Sequence, residues 1–440
     1  MSIPLRLFLF LLAASWVVAS AAHAQPEYSC DPAACTLPDC LCASTQPPGG
    51  LALFEVPQFV LVTFDDCIQT NNEADIRPML AGVRNPNGAP INVTYFLSLE
   101  GCARDDTTEA AVVLDRISAG DEIAVHTVTH STSDTTSFST WRREIAGVLT
   151  YLDRLGVPRE QRGFRAPFVA TNAALFDVLE TLGILYDSSI YDSPFFSPVS
   201  NGVDKFTWPY TLDYGPAQNC GTWATFNNCT DDPKPGLWSI PVYYHVDVRS
   251  NGEHRSDYFG TFDVGNPTFS FSQKFTGDVL YQVLVDNFIV RHRGNRAPHG
   301  VYLHAPTFQT AEYREPYNRA LRYMASQRDT WFVTGETLIR WMRDPVPASQ
   351  MSAWISGNFT SADDPNRISD LRLTPSITTG LVRVDGSIPP GSVAEVYDAM
   401  GRRAFSFSIA SGDRINLSAL ASGLYFVRIG ETVRGVTLRK

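Results

Sequence analysis

The 440-residue chain has no surplus of positive charge. Its formal net charge is −11, spread along the chain and not gathered in a tail. That argues against nucleic acid or an anionic membrane as the main partner. The chain also lacks, beyond its N-terminus, any apolar run able to cross a bilayer, so no transmembrane segment is expected in the mature protein. What remains is ordinary: 44% hydrophobic and 18% charged residues, with length for two or three domains.

After Arg6 comes "LFLFLLAASWVVASAA", then "AHA" before Gln25. A weakly basic start, an apolar middle and small residues before the cut read as a secretory signal peptide over residues 1–24. A membrane anchor is the rival reading, and the run is short for a span. Eight cysteines in an exported chain favour pairing. Cys30, Cys35, Cys40 and Cys42 crowd "CDPAACTLPDCLC" within a Cys-rich segment, residues 25–50. Zinc binding by these four is the alternative, disfavoured in an oxidising compartment. Cys67 and Cys102 lie further on, with Cys220 and Cys229 beyond, and spacing alone does not settle which pairs with which.

Between residues 51 and 345, strand-like and helix-like runs alternate. "FVLVTF" is a continuous apolar run suited to a strand buried on both faces, and "INVTYFLS" and "EIAVHT" follow it. Trp141, Ile145, Val148, Leu149 and Leu152 repeat at helical spacing. Later runs include "NAALFDVLETLG", "VLYQVLVDNFIVRHR", "GVYLHA", "YNRALRYMASQ", "WFVTG" and "ETLIRWMRD". Alternation of this kind predicts an α/β fold with a parallel sheet. Six or more units over roughly 290 residues predict a distorted (β/α) TIM-like barrel. Residues 346–370 lack apolar periodicity and read as a linker, and residues 371–440 read as a small all-β sandwich of short strands and glycine turns.

In a parallel barrel the active site is built at the carboxyl ends of the strands. The first strand ends on Asp65 and Asp66, the third on His126 and His130 in "HTVTH", the next on Arg165 in "RAPF", and the late one on His304. Each has a plain rival: a solvated turn for the aspartates, chance for two histidines four apart, an ion pair for Arg165, a core histidine for His304. Together they suit one task. Two imidazoles and a carboxylate make a catalytic divalent-metal site, most naturally for zinc. The metal supplies a nucleophilic water and polarises a carbonyl. A second carboxylate can take the water's proton, and a histidine can protonate the leaving group. The expected reaction class is hydrolysis of an amide or ester.

In order, "TFDD", "HTVTH", "RAPF" and the strand-borne late histidine resemble the motifs of the polysaccharide deacetylases of carbohydrate esterase family 4. "RNPNGAPINVTYFLS", "YDSSI", "WPYTLDY", "PGLWSIPV" and "NRAPHGVYLHAPTF" resemble the animal chitin deacetylases of that family. The resemblance implies a distorted (β/α) barrel. It implies Asp65 as catalytic base, Asp66, His126 and His130 as metal ligands, Arg165 as tether of the base and His304 as general acid. It implies Phe168 as a backbone donor to the oxyanion and Trp238 as a site-lining aromatic; Asp247 is a weaker candidate for the partner that tunes His304. Trp208 and Tyr210, in "WPYTLDY", are candidates to stack on sugar rings. Where the family commonly has a small residue after the aspartate pair, this chain has Cys67. Cys102 ends the neighbouring strand, so a Cys67–Cys102 disulfide is expected beside the site, against the alternative of two unrelated thiols.

The C-terminal "AEVYDAMGRRAF…INLSALASGLYFVRIGETVRGVTLRK" resembles the sorting domain read by the type IX secretion machinery of Bacteroidota-like bacteria. That implies a protein secreted by, or on the surface of, a Gram-negative bacterium; a carbohydrate-binding β-sandwich is the alternative. The expected function is a secreted zinc-dependent hydrolase that removes N-acetyl groups from N-acetylglucosamine units of chitin or chitooligosaccharides. A peptidoglycan or other glycan deacetylase, and a catalytically silent glycan-binding protein, are the alternatives.

Overall fold

A computed structural model describes residues 28–100, 102, 107–156, 162–193, 199–200, 202–218, 228–229, 232–248, 254–268, 274–359, 371–375, 377–398, 403–429 and 432–440. The expected signal peptide and Cys220 lie outside these residues. Strands β1 (Gln58–Asp66), β2 (Thr94–Leu97), β3 (Glu122–Val125), β4 (Gly163–Phe164) and β5 (Tyr186–Asp187) run parallel, side by side. Along the chain follow β6 (Tyr191–Asp192), β7 (Tyr210–Thr211), β8 (Trp238–Ser239), β9 (Val242–Tyr243), the hairpin β10 (His245–Val248) and β11 (His254–Gly260), β12 (His299–His304) and β13 (Thr330–Phe332). The main sheet runs β12-β1-β2-β3-β4-β5-β8-β7, with β13 also on β1. All pairings in it are parallel except β7 on β8.

The fold is therefore a mixed α/β, curled half-barrel. It departs from the expected barrel in closure: among the described residues no ladder joins β7 to β12. Side chains bridge part of the gap. The Tyr302 hydroxyl accepts from the Tyr243 N–H at 3.1 Å and donates to the Pro241 carbonyl at 3.2 Å.

β1 shows why the apolar run folds as it does. Successive side chains point to opposite faces of a sheet. Val60, Val62 and Phe64 join the large core beneath the helices, while Phe59 and Leu61 join a second core inside the curl, with Trp208, Trp238, Tyr302, Trp331 and Trp341. Both faces are dry, as a parallel strand requires. The outer core is supplied mainly by α1 (Thr70–Leu80), α2 (Thr107–Ser118), α3 (Phe138–Arg154), α4 (Ala173–Thr181), α5 (Gly277–Arg293) and α6 (Ala311–Ala325). α7 (Gly335–Arg343) buries Leu338, Ile339, Trp341 and Met342 against the inner core. The sequence reading had not placed α1, whose Pro78 interrupts the usual signal.

The stretch expected to be a linker holds regular structure. α8 (Met351–Phe359) buries Met351 in the inner core and packs Trp354 and Ile355 against it. Those residues are spaced i, i+3, i+4, a helical signal too short to stand out. Between residues 372 and 438 lie eight short strands in two sheets, around a cluster that includes Val382, Val396, Ile415 and Val427. This is the all-β region expected.

Cys30 pairs with Cys42 and Cys35 with Cys40, so these thiols are not free for a metal. Cys67 pairs with Cys102 as expected, and Cys229 is also disulfide-bonded. The N-terminal loop docks on β7, where Leu41 and Thr211 exchange hydrogen bonds and the Trp208 N–H donates to the Ser44 carbonyl.

Candidate active site

Alternation along β1 puts Thr63 and Asp65 on the inner face with Phe59 and Leu61. Asp65 is 5% exposed there and opposes His304 in the β1–β12 register. Arg165, one residue past β4, points to the same interior. Its Nη1 donates to Asp65 Oδ1 at 2.6 Å and to Thr63 Oγ1 at 2.8 Å, and its other nitrogens donate to the Ser188 carbonyl and hydroxyl. The guanidinium lies 4.0 Å from the Phe96 ring centroid and 5.0 Å from that of Tyr302. A buried charge pair needs this much compensation, because removing one partner strands the other at a cost of about 3–5 kcal/mol.

Asp66 behaves differently. Alternation would send it outward after Phe64, but its φ is 80°, a left-handed conformation costly for a side-chain-bearing residue. The turn brings its Oδ1 to 3.3 Å from His130 Nε2 and 3.7 Å from His126 Nε2. One ligand-capable atom from each of the three lies within 4.8 Å of the others. His126 Nδ1 donates to the Arg165 carbonyl at 2.8 Å, which leaves Nε2 as the lone-pair nitrogen facing the cluster. Burial lowers the His126 pKa, against the pull of Asp65 and Asp66, and favours the neutral, ligating ring. Glu144 on α3 accepts from the N–H groups of Val128 and Thr129 and from the Thr129 hydroxyl, and so braces the turn between the two histidines.

His304 ends β12. Its Nδ1 lies 2.5 Å from Asp263 Oδ2, and its backbone N–H donates to Asp263 Oδ1 at 2.9 Å. Burial pulls its pKa down, but the Asp263 carboxylate and its hydrogen bond outweigh that and raise it to about 9. Its Nε2 faces Asp66 Oδ2 at 4.0 Å. Phe168 sits in the Pro167–Val169 turn with φ 56°, is 68% exposed, and sets its ring edge-on to His130 at 4.7 Å between centroids.

Seven non-glycine residues carry a left-handed φ among the described residues. Asp66, Thr127, His130, Phe168, Val169 and Asp263 are at or beside this cluster, and only Arg296 is elsewhere. Such conformations cost about 1–3 kcal/mol each and collect where function imposes them.

Not every expected residue gathers here. The carboxylate on His304 is Asp263 and not Asp247, which lies on β10. Asp263 was legible in one respect: the Thr-Phe-Asp that ends β1 recurs as Thr261, Phe262 and Asp263 beside β12, where Phe262 bridges to Tyr302. Trp208, Tyr210 and Trp238 are each 1% exposed or less. Trp208 stacks on Trp341, the Tyr210 hydroxyl donates to Gln218, and Trp238 belongs to the inner core. With no open ring face, they serve as core packing and cannot stack on a sugar.

Residues 56–186 match the family model described as polysaccharide deacetylase. That stretch is therefore similar to a polysaccharide deacetylase domain. The matched stretch includes Asp65, Asp66, His126, His130, Arg165 and Phe168, and His304 lies beyond it. Two silkworm (Bombyx mori) proteins are similar over much of the chain. Chitin deacetylase 1 is 30% identical over 328 residues, which cover 72% of this chain and 57% of that protein. Chitin deacetylase 8 is 28% identical over 326 residues, covering 72% of this chain and 79% of that protein. The match thus spans little more than half the length of the first relative. A solved structure described as a polysaccharide deacetylase from Mycobacterium smegmatis aligns at 16% identity and a TM-score of 0.43, covering 70% of this chain and 95% of that one. The curled half-barrel brings together a buried carboxylate–arginine pair, an Asp/His/His cluster able to hold a metal, and a histidine backed by a carboxylate.

Proposed function

We propose that the protein is a secreted, zinc-dependent hydrolase that removes N-acetyl groups from N-acetylglucosamine units of chitin or chitooligosaccharides. The observation that carries this reading is that Asp65 and His304, partners in the β1–β12 register, both adjoin the Asp66/His126/His130 cluster, Asp65 next to Asp66 in the chain and His304 Nε2 4.0 Å from Asp66 Oδ2. The donor set fits a divalent cation: one carboxylate oxygen and two imidazole nitrogens, with the outer nitrogen of His126 fixed by a carbonyl. Bound there, zinc supplies an activated water and polarises the acetyl carbonyl.

The chain's own groups do the rest. Asp65 Oδ atoms take a proton from the attacking water, and Arg165 keeps that carboxylate aimed into the site. The backbone N–H of Phe168 donates to the oxyanion as the carbonyl rehybridises. His304 Nε2 gives a proton to the departing nitrogen, so the C–N bond breaks to acetate and a free amine. With its pKa near 9, His304 holds that proton at neutral pH.

The relatives named chitin deacetylase support the substrate class. The test is acetate release from chitooligosaccharides and from peptidoglycan by the full chain loaded with zinc. Release from chitooligosaccharides is expected. Release from peptidoglycan alone would transfer the activity to a bacterial glycan, and zinc binding with no release from either would make the protein a silent glycan binder.

Asp263 gives a pH test. Asp263→Asn removes the charge that raises His304, so the His304 pKa falls. An acid needed in its protonated form is then lost at lower pH. The alkaline limb of kcat/KM is expected to move to lower pH in this variant; a limb that stays in place would remove His304 from the role of acid.

The disulfides among the described residues support an extracellular location. We assign the β region after residue 371 as a type IX sorting signal of a Gram-negative bacterium. A reporter fused to residues 371–440 is then expected outside the outer membrane of such a host and inside when its type IX system is absent.

A further inference from the structure

One segment touches the backbone around all three ligand-bearing positions, and a disulfide ties it to the chain next to Asp66. Residues 98–100 and Cys102 follow β2. The Ser98 N–H donates to the Asp66 carbonyl at 2.9 Å, and the Ser98 hydroxyl donates to the His126 carbonyl at 2.7 Å. The N–H groups of Leu99 and Glu100 both donate to the Val128 carbonyl, in the turn between His126 and His130. Cys102, whose N–H donates to the Leu99 carbonyl, closes this segment and is bonded to Cys67. Cys67 is itself held, since Asn72 at the start of α1 donates to its carbonyl at 3.0 Å.

Asp66 needs such a restraint. It sits at the end of a strand in a left-handed conformation with its side chain 42% exposed, whereas Asp65 is buried against Arg165. Relaxing its φ would return the carboxylate toward the outer face and separate it from His126 and His130. Hydrogen bonds from this segment are exchangeable with water, whereas a covalent bond fixes the separation of Cys67 and Cys102. We propose that the Cys67–Cys102 disulfide is a positioning device for the metal centre, holding Asp66 in its ligating conformation together with the hydrogen bonds of Ser98, Leu99 and Glu100. The inference rests on reading Asp66, His126 and His130 as the metal ligands.

The experiment is a zinc titration by calorimetry of the full chain, comparing wild type with Cys67→Ala/Cys102→Ala and with Cys35→Ala/Cys40→Ala. Loss of an outer support for a ligand typically weakens metal binding about 10–100-fold. That increase in Kd is expected for the Cys67/Cys102 variant and not for the Cys35/Cys40 variant, with kcat returning toward wild type at saturating zinc. An unchanged Kd in a folded Cys67/Cys102 variant would overturn the proposal, as would an equal loss in both variants. Should the alanine pair fail to fold, Cys67→Ser/Cys102→Ser carries the same comparison. Failure of both pairs where the Cys35/Cys40 variant folds would make the bond a general staple and also overturn it. A wild type that binds no divalent cation would sink the metal reading itself, an outcome distinct from equal binding by wild type and variant.

Discussion

Asp65→Asn is expected to lower kcat for acetate release about 10²- to 10⁴-fold, the range a positioned general base contributes. The amide has nearly the shape of the carboxylate, so it can still accept from Arg165 and leave the bonds to Thr63 and Ser188 in place. It cannot take the proton of the attacking water. Zinc content should stay at the wild-type level, because Asp66, His126 and His130 are untouched. The substitution does leave the Arg165 guanidinium buried without its counter-charge, a stability cost of about 3–5 kcal/mol by analogy with other broken buried pairs. Thermal denaturation measured beside kcat and metal content separates the two effects. A variant that is folded, metal-loaded and fully active would remove Asp65 from the role of base.

Adjacent aspartates at a strand end raise the question of how two like charges are tolerated. The structure answers with geometry. Asp65 keeps the strand's alternation and meets a buried arginine, whereas Asp66 breaks it with a left-handed φ and meets two imidazoles. The pairing of types was legible in the sequence because strand ends converge in a parallel barrel, so Asp65, Asp66, His126, His130, Arg165 and His304 could be placed together from order alone. The reversal at Asp66 was not legible, since it depends on a single dihedral.

The errors share a cause. Trp208 and Tyr210 were read as sugar platforms and Trp238 as a site-lining aromatic because aromatic residues near a glycan site invite that reading, yet an aromatic in a curled sheet also fills the interior. Sequence does not report which side of the sheet a short strand such as β7 or β8 presents when each has two residues. Asp263 was missed for Asp247 because which carboxylate meets His304 is set by the path of the chain after β11, which no periodicity reports. The helical signal in α8 was present but spans few turns, and a proline-bearing neighbourhood masked it. Long strands with strong patterning were read correctly, and of the contacts set by loops the Cys67–Cys102 bond was read and the Asp263–His304 pair was not.

His126→Ala should remove metal and activity together. His126 is 1% exposed at the end of β3 and supplies one of the three ligand atoms of the cluster, so its loss leaves two. Losing a ligand outright costs more than the roughly 10–100-fold typical of losing an outer partner, so zinc should escape dialysis-equilibrium detection at micromolar concentration. The same substitution frees the Arg165 carbonyl from its hydrogen bond to Nδ1, and with it one restraint on the arginine that aims Asp65. Added zinc is therefore expected to restore only part of kcat even where it restores occupancy. That split is the diagnostic: full recovery at high zinc would confine His126 to ligation, and acetate release with zinc absent would show that the hydrolysis does not run through this cluster.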